Sequence, residues 1–179
     1  DPAMTAVQGA VDEAIDRFGA LPAEPELERL REALDRIESL RVRIAGQLDA
    51  LPGELRRLAA ASDARMRSMS EPERKLFEGD RKRLAEDVEH LRSRFDATAR
   101  DLEGLRARLD PDERGDTADG TVDLLTDLSN LVGEMSLVEA RARLEAITVD
   151  RIDLDSRVAL DIARACRLDW MNNRAALVD

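Results

Sequence analysis

Between Leu84 and Leu109 the chain keeps one rhythm without a slip: Leu84, Val88, Leu91, Phe95, Thr98, Leu102, Leu105 and Leu109 alternate steps of four and three. Extended backwards, the rhythm meets Phe77. At 3.6 residues per turn such steps place every member on one helix face. An apolar stripe of this length is not left in water, so it demands a facing helix. Thr98 is the single polar member of those eight positions.

The start of this helix is also written in the sequence. Ser70 can cap, Pro72 suits the first turn, and Glu73 stands three residues after the serine as a capping box requires. A helix from there to Leu109, stopped by Asp110-Pro111, spans roughly 55 Å at 1.5 Å per residue. A second seam precedes it: Leu27, Leu30, Leu34, Ile37, Ile44, Leu48 and Leu51. Arg41 fills its one gap, flanked by Leu40 and Val42. Either the arginine fixes register or oligomeric state, or its neighbours take over the seam. Pro52-Gly53 is expected to end or kink this helix, with a shorter one after it carrying Leu55, Leu58, Ala59, Met66 and Met69.

Residues 4–18 form another amphipathic stretch, with Val7, Val11, Ala14, Ile15 and Phe18, before a Gly19–Pro25 turn. Asp110 through Gly120 is acidic and holds two glycines, so it reads as a loop and a mobile boundary. Residues 121–147 read as helix, with Val122, Leu125, Leu128, Val132 and Met135 on one face. Gly133 is expected to bend or interrupt it near Ser136, and Leu137, Ala140, Leu144 and Ile147 to continue the apolar stripe. Thr148 through Leu154 alternates apolar and polar residues as extended chain does. Asp155 or Ser156 then caps a last helix running to the C-terminus, with Val158, Ile162, Ala165, Leu168, Met171, Ala175 and Val178 as its apolar positions. Long helices with short breaks make antiparallel neighbours. The fold class expected is all-α, an elongated antiparallel helical bundle or coiled-coil hairpin over 1–147, followed by an extended linker and helix over 148–179.

Composition narrows function. Aromatics are only 2% of the chain, against 37% charged residues, which suits long amphipathic helices and not a compact α/β enzyme. The formal net charge of −11 disfavours nucleic acid and anionic lipid surfaces as partners, since both need a basic face. The arginines alternate with acids and read as solvated helix faces with i,i+4 pairs. A lone cysteine, Cys166, allows neither an internal disulfide nor a cysteine-based zinc site. No run of eighteen apolar residues is present. The opening Asp1-Pro2-Ala3-Met4 lacks a signal-peptide pattern and reads as a remnant ahead of an internal fragment.

The residues that could carry chemistry are few. His90, the only histidine, sits at the edge of the long seam with no further ligand in sequence for a metal. Asp110, Asp112, Glu113 and Asp116 lack calcium-loop spacing. Cys166 has Arg164 and Arg167 nearby but no histidine base. Trp170 reads as a packing anchor, with a binding hot spot as the sharper alternative. No phosphate-binding glycine loop, nucleophile elbow or zinc-protease motif occurs. No catalytic, cofactor-binding or metal residue is therefore assigned, no cofactor is expected, and the chain reads as a non-enzyme.

One segment carries a family resemblance. After Arg143-Leu144-Glu145-Ala146-Ile147-Thr148-Val149 comes Ile152-Asp153-Leu154, then Ala159-Leu160, Ile162-Ala163, Arg167-Leu168-Asp169, Asn172, Arg174 and Ala175. In order and spacing this stretch of about residues 143–179 resembles the start of a structural repeat in the TolC family of outer-membrane efflux proteins. Cys166 and Asn173 depart from it, standing where that family usually has Asn and a small Ala. The resemblance implies the periplasmic helical portion of a longer, homotrimeric export channel for small molecules or proteins, located in the periplasm as part of an outer-membrane protein. Its partners would be the rest of the channel and an adaptor or pump, with no nucleic acid and no membrane contact by this portion, itself a monomer or dimer. The alternative is a stand-alone coiled-coil scaffold or tether between proteins.

Overall fold

Helix packing in this chain follows the seams, as a computed structural model shows for residues 2–22, 24–67, 69–147 and 155–166. The elements are α1 (Pro2–Phe18), α2 (Leu27–Met66), α3 (Glu71–Ala107), a 3-10 turn (Pro111–Glu113), α4 (Arg114–Ala146) and α5 (Ser156–Cys166). Among the described residues there is no strand, and the class is all-α. The chain divides into two compact units, residues 1–148 and 149–179. The second contains α5, an amphipathic helix on which Val158, Leu160 and Ile162 are about half exposed.

Cross-helix ion pairs give the topology of the first unit. Glu13 meets Arg36 and Arg17 meets Glu32, so α1 and α2 run antiparallel. Asp35 meets Arg106 and Asp63 meets Arg81, so α2 and α3 do too. Arg94 meets Glu134 and Asp87 meets Arg141, which reverses α4 against α3. α2 and α4 therefore run parallel and pack directly on each other, with α1 and α3 flanking them. At 40 and 37 residues, α2 and α3 each span about 55–60 Å.

The core is the expected leucine work. Leu34, Ile37, Leu40 and Ile44 of α2, Leu91 and Leu102 of α3, Leu125, Leu128 and Met135 of α4, and Val11 and Phe18 of α1 are all buried. Each such side chain contributes roughly 1.5–3 kcal/mol by leaving water. The whole α3 rhythm from Phe77 to Leu105 is buried apart from the position between Phe77 and Leu84, which Arg81 holds. The start of α3 is set as the sequence suggests. The Glu73 carboxylate accepts from the Ser70 backbone N–H at 2.8 Å and from its hydroxyl at 2.7 Å. At the other turn, α1 ends at Phe18 and is followed by Gly19, where an added Cβ would lie 2.5 Å from the Ile15 carbonyl oxygen.

Four expectations need correcting. Pro52 does not end α2, which continues to Met66. Packing of Leu51 and Leu55 on the core outweighs the one backbone bond that proline forfeits. Residues 110–120 are not a loop: the chain turns at Asp110, whose carboxylate accepts from the Asp112 N–H at 3.0 Å, and α4 has begun by Arg114. Thr117 Oγ1 donates to the Arg108 carbonyl at 3.2 Å, and Thr117, Ala118 and Thr121 are buried, so tertiary contact overrides weak local propensity. Gly133 interrupts nothing; α4 is continuous to Ala146. Because no break resets its phase, the buried face runs Leu128, Leu131, Met135, Val138, Ala142. Leu137, Ala140, Leu144 and Ile147 consequently point outwards. Thr148 through Leu154 and the segment after Cys166, including Trp170, lie outside the described residues.

Candidate functional site: polar contacts and grooves between the helices

Arg41, the cation of the α2 seam, and Thr98, the hydroxyl of the α3 seam, meet. Leu40 takes the core position on α2 while Val42 stays exposed, which turns Arg41 toward α3. Its Nε donates to Thr98 Oγ1 at 2.9 Å, and Thr98 Oγ1 donates onward to the Phe95 carbonyl at 2.6 Å. The guanidinium lies over the Phe95 ring, 4.9 Å from its centroid, with Glu38 at 3.8 Å. With Arg41 only 14% exposed, sliding α3 by one heptad would leave both groups buried without each other. The contact thus acts on the register of the hairpin.

Arg81 repeats the arrangement nearer the hairpin turn. Its guanidinium lies 4.9 Å from the centroid of Phe77 and donates to the Ala59 carbonyl, Ser62 Oγ and Asp63. Its Nε is buried and has no hydrogen-bond partner among the described residues. Sequence reading passed Arg81 over, although the signal was there: stepping back three from Leu84 and four more to Phe77 puts position 81 in the seam. Glu139, buried on α4 and ion-paired with Arg143, was missed as well. Arg143 also reaches Glu54 of α2 at 3.3 Å.

Two open grooves flank these contacts. One, of about 300 Å³, lies between α2, α3 and the end of α4, with a floor of Leu55, Leu58, Leu84 and Val88. The other, of about 670 Å³, lies between α1 and α4 and is walled by Met4, Gly9, Ala140, Leu144 and Ile147. Beside it the α4 stripe is conspicuously bare: Leu137, Leu144 and Ile147 are 53%, 65% and 54% exposed.

Among the described residues the structure does not bring His90 together with the acids around the 3-10 turn. His90 is exposed on α3. Asp110, Asp112 and Glu113 are exposed around the 3-10 turn, with Asp116 in the first turn of α4. Cys166 is the last residue of α5. Among the described residues no three His, Cys, Asp or Glu side chains converge as a metal site, and no helix is long and apolar enough to cross a membrane.

Fold and contacts together define an all-helical bundle in which apolar seams pack helix on helix and a few polar contacts lie between them. No protein-family model, curated protein or solved structure matches the chain.

Proposed function

We propose that the chain is an architectural periplasmic element of a TolC-like outer-membrane export channel, and that it works by packing against neighbouring helices instead of by chemistry. The bare stripe on α4 carries this reading. Leu137, Ala140, Leu144 and Ile147 repeat every three or four residues, which is the pattern of a seam that faces another helix. The resemblance of residues 143–179 begins on that same stripe, so the surface and the family pattern support one another. The acidic balance and the absence of a phosphate-binding motif leave nucleic-acid and nucleotide roles without support.

Under this reading the stripe packs on the channel's helical barrel, and the α2–α3 hairpin reaches toward an adaptor. The test is the triple substitution Leu137→Glu, Leu144→Glu, Ile147→Glu in the full-length protein, scored by trimer assembly and by export. Assembly and export should both fail while the chain alone keeps its helical content. Undiminished export sinks the channel reading and leaves the scaffold between proteins as the better description.

A further inference from the structure

We propose that the groove between α2, α3 and the end of α4 is a binding site for a single-chain amphiphile with a carboxylate head, of the fatty-acid type. Two independent features of the groove point there. Its floor is apolar along both long helices: Leu55 and Leu58 from α2 face Leu84, Ala85 and Val88 from α3. From Leu55 to Ser62 the α2 wall runs roughly 10 Å, by the helical rise. The volume, about 300 Å³, is that of a small-ligand site and suits a medium-length acyl chain.

The second feature is the wall. In a chain of net charge −11, Arg56, Arg81 and Arg92 all line this one groove. Two acids line it too, and Glu89 is already held by Arg92 at 3.3 Å. Glu145 stands at the α4 side. Arg81 is the residue with an unmet need. Its Nη2 group serves Ala59, Ser62 and Asp63, yet its Nε–H is buried without an acceptor among the described residues. A buried donor left unmet is costly, and native proteins rarely keep one without a reason. A carboxylate is the acceptor a guanidinium edge fits best, taking two parallel N–H donors. In the proposed complex the Arg81 side chain turns off the Phe77 ring to bring that buried edge to the head group, while the acyl chain covers Leu58, Leu84 and Val88. A purely apolar occupant would leave the Nε–H as it is; the orphan donor selects an occupant with an acceptor, and the charge of the guanidinium favours an anionic one. The inference rests on no part of the channel reading.

Calorimetric titration of the chain with dodecanoate, below its micelle concentration, tests it. Saturable single-site binding is expected. Ala85→Trp fills the groove from an exposed helix position and should weaken binding roughly tenfold or more with helical content unchanged. Arg81→Lys keeps the charge but removes the Nε–H, and should also cost roughly tenfold, the worth of one charge-assisted hydrogen bond. Dodecanol, with the same chain and no anion, should bind correspondingly more weakly. Three results overturn the proposal: no saturable binding to the wild-type chain, unchanged binding to Ala85→Trp, or dodecanol bound as tightly as dodecanoate. Self-association that Ala85→Trp abolishes, in a chain that ignores dodecanoate, overturns it in favour of a second copy in the groove.

Discussion

Arg41 Nε and Thr98 Oγ1 lie 2.9 Å apart across the α2–α3 interface, joining the one cation in the α2 seam to the one hydroxyl in the α3 seam. Leucine seams by themselves tolerate sliding by a heptad, because each register buries a similar set of side chains. A polar pair among them does not, since every other register takes from the part-buried Arg41 Nε the acceptor that Thr98 supplies. The register of this hairpin is therefore specified by two residues that add less to its stability than the leucines around them.

Removing one partner should cost more than removing both. Thr98→Val leaves the part-buried Arg41 Nε without its acceptor and should destabilise by about 1–2 kcal/mol. The double variant Arg41→Leu, Thr98→Val should recover most of that loss, with a coupling energy of about 0.5–3 kcal/mol in the double-mutant cycle. Guanidinium unfolding of the four proteins measures it. Strict additivity contradicts the pairing.

Along α4, Gly120 and Gly133 should behave oppositely. A Cβ at Gly133 meets nothing within 4 Å, so Gly133→Ala should stabilise the helix by about 0.5–1 kcal/mol. A Cβ at Gly120 would lie 2.6 Å from Leu105 Cδ2, where α3 and α4 come close. Gly120→Val should cost about 1–3 kcal/mol through overpacking. Thermal unfolding separates the two, and a destabilising Gly133→Ala would show that this glycine bends the helix after all.

Leu128 is completely buried, whereas Leu76 is 71% exposed near the start of α3. Leu128→Ala should cost about 2–5 kcal/mol. Leu76→Ala should stay within about 0.5 kcal/mol. Equal effects in denaturant unfolding would mean that the core has been placed on the wrong face.

How far the sequence foretells this fold depends on the kind of residue. The α3 seam from Leu84 to Leu105, its Ser70–Glu73 start and the α1 stripe were legible because burial there coincides with periodicity and capping chemistry. The course of the chain through Pro52, Gly115, Gly120 and Gly133 was not, because each of these residues has weak local helix propensity that long-range packing overrides. That misreading propagated. An interruption at Gly133 would shift the phase of the residues after it; in the continuous α4 the phase is kept, so Leu144 of the apolar stripe lies outside and Glu139 inside. The Arg41–Thr98 contact was half legible: each residue stands out alone, but only the register of α2 on α3 brings them together. Arg81 was hidden in plain rhythm, at a seam position where an apolar residue was expected.

Glu139 and Arg143 supply a further test. Glu139 is nearly buried, and the half-exposed Arg143 bridges it to Glu54. Arg143→Ala should destabilise by about 1–2 kcal/mol, between the values for exposed and buried pairs. The variant Arg143→Ala, Glu139→Leu should regain part of this. A neutral Arg143→Ala would mean that water at the α1–α4 groove already serves the carboxylate.

The most direct measurement is cross-linking of α2 to α3 with a short bifunctional thiol reagent in a Cys166→Ser background. Asp35 and Arg106 form an ion pair at 3.1 Å, so cysteines placed at both positions should link rapidly within one chain. Cysteines at Asp35 and Ala99, displaced by one heptad or roughly 10 Å along the helix, should not. Preferential linking of the Asp35–Ala99 pair, or equal linking of both, would contradict a hairpin held in a single register by its buried seams and the Arg41–Thr98 contact.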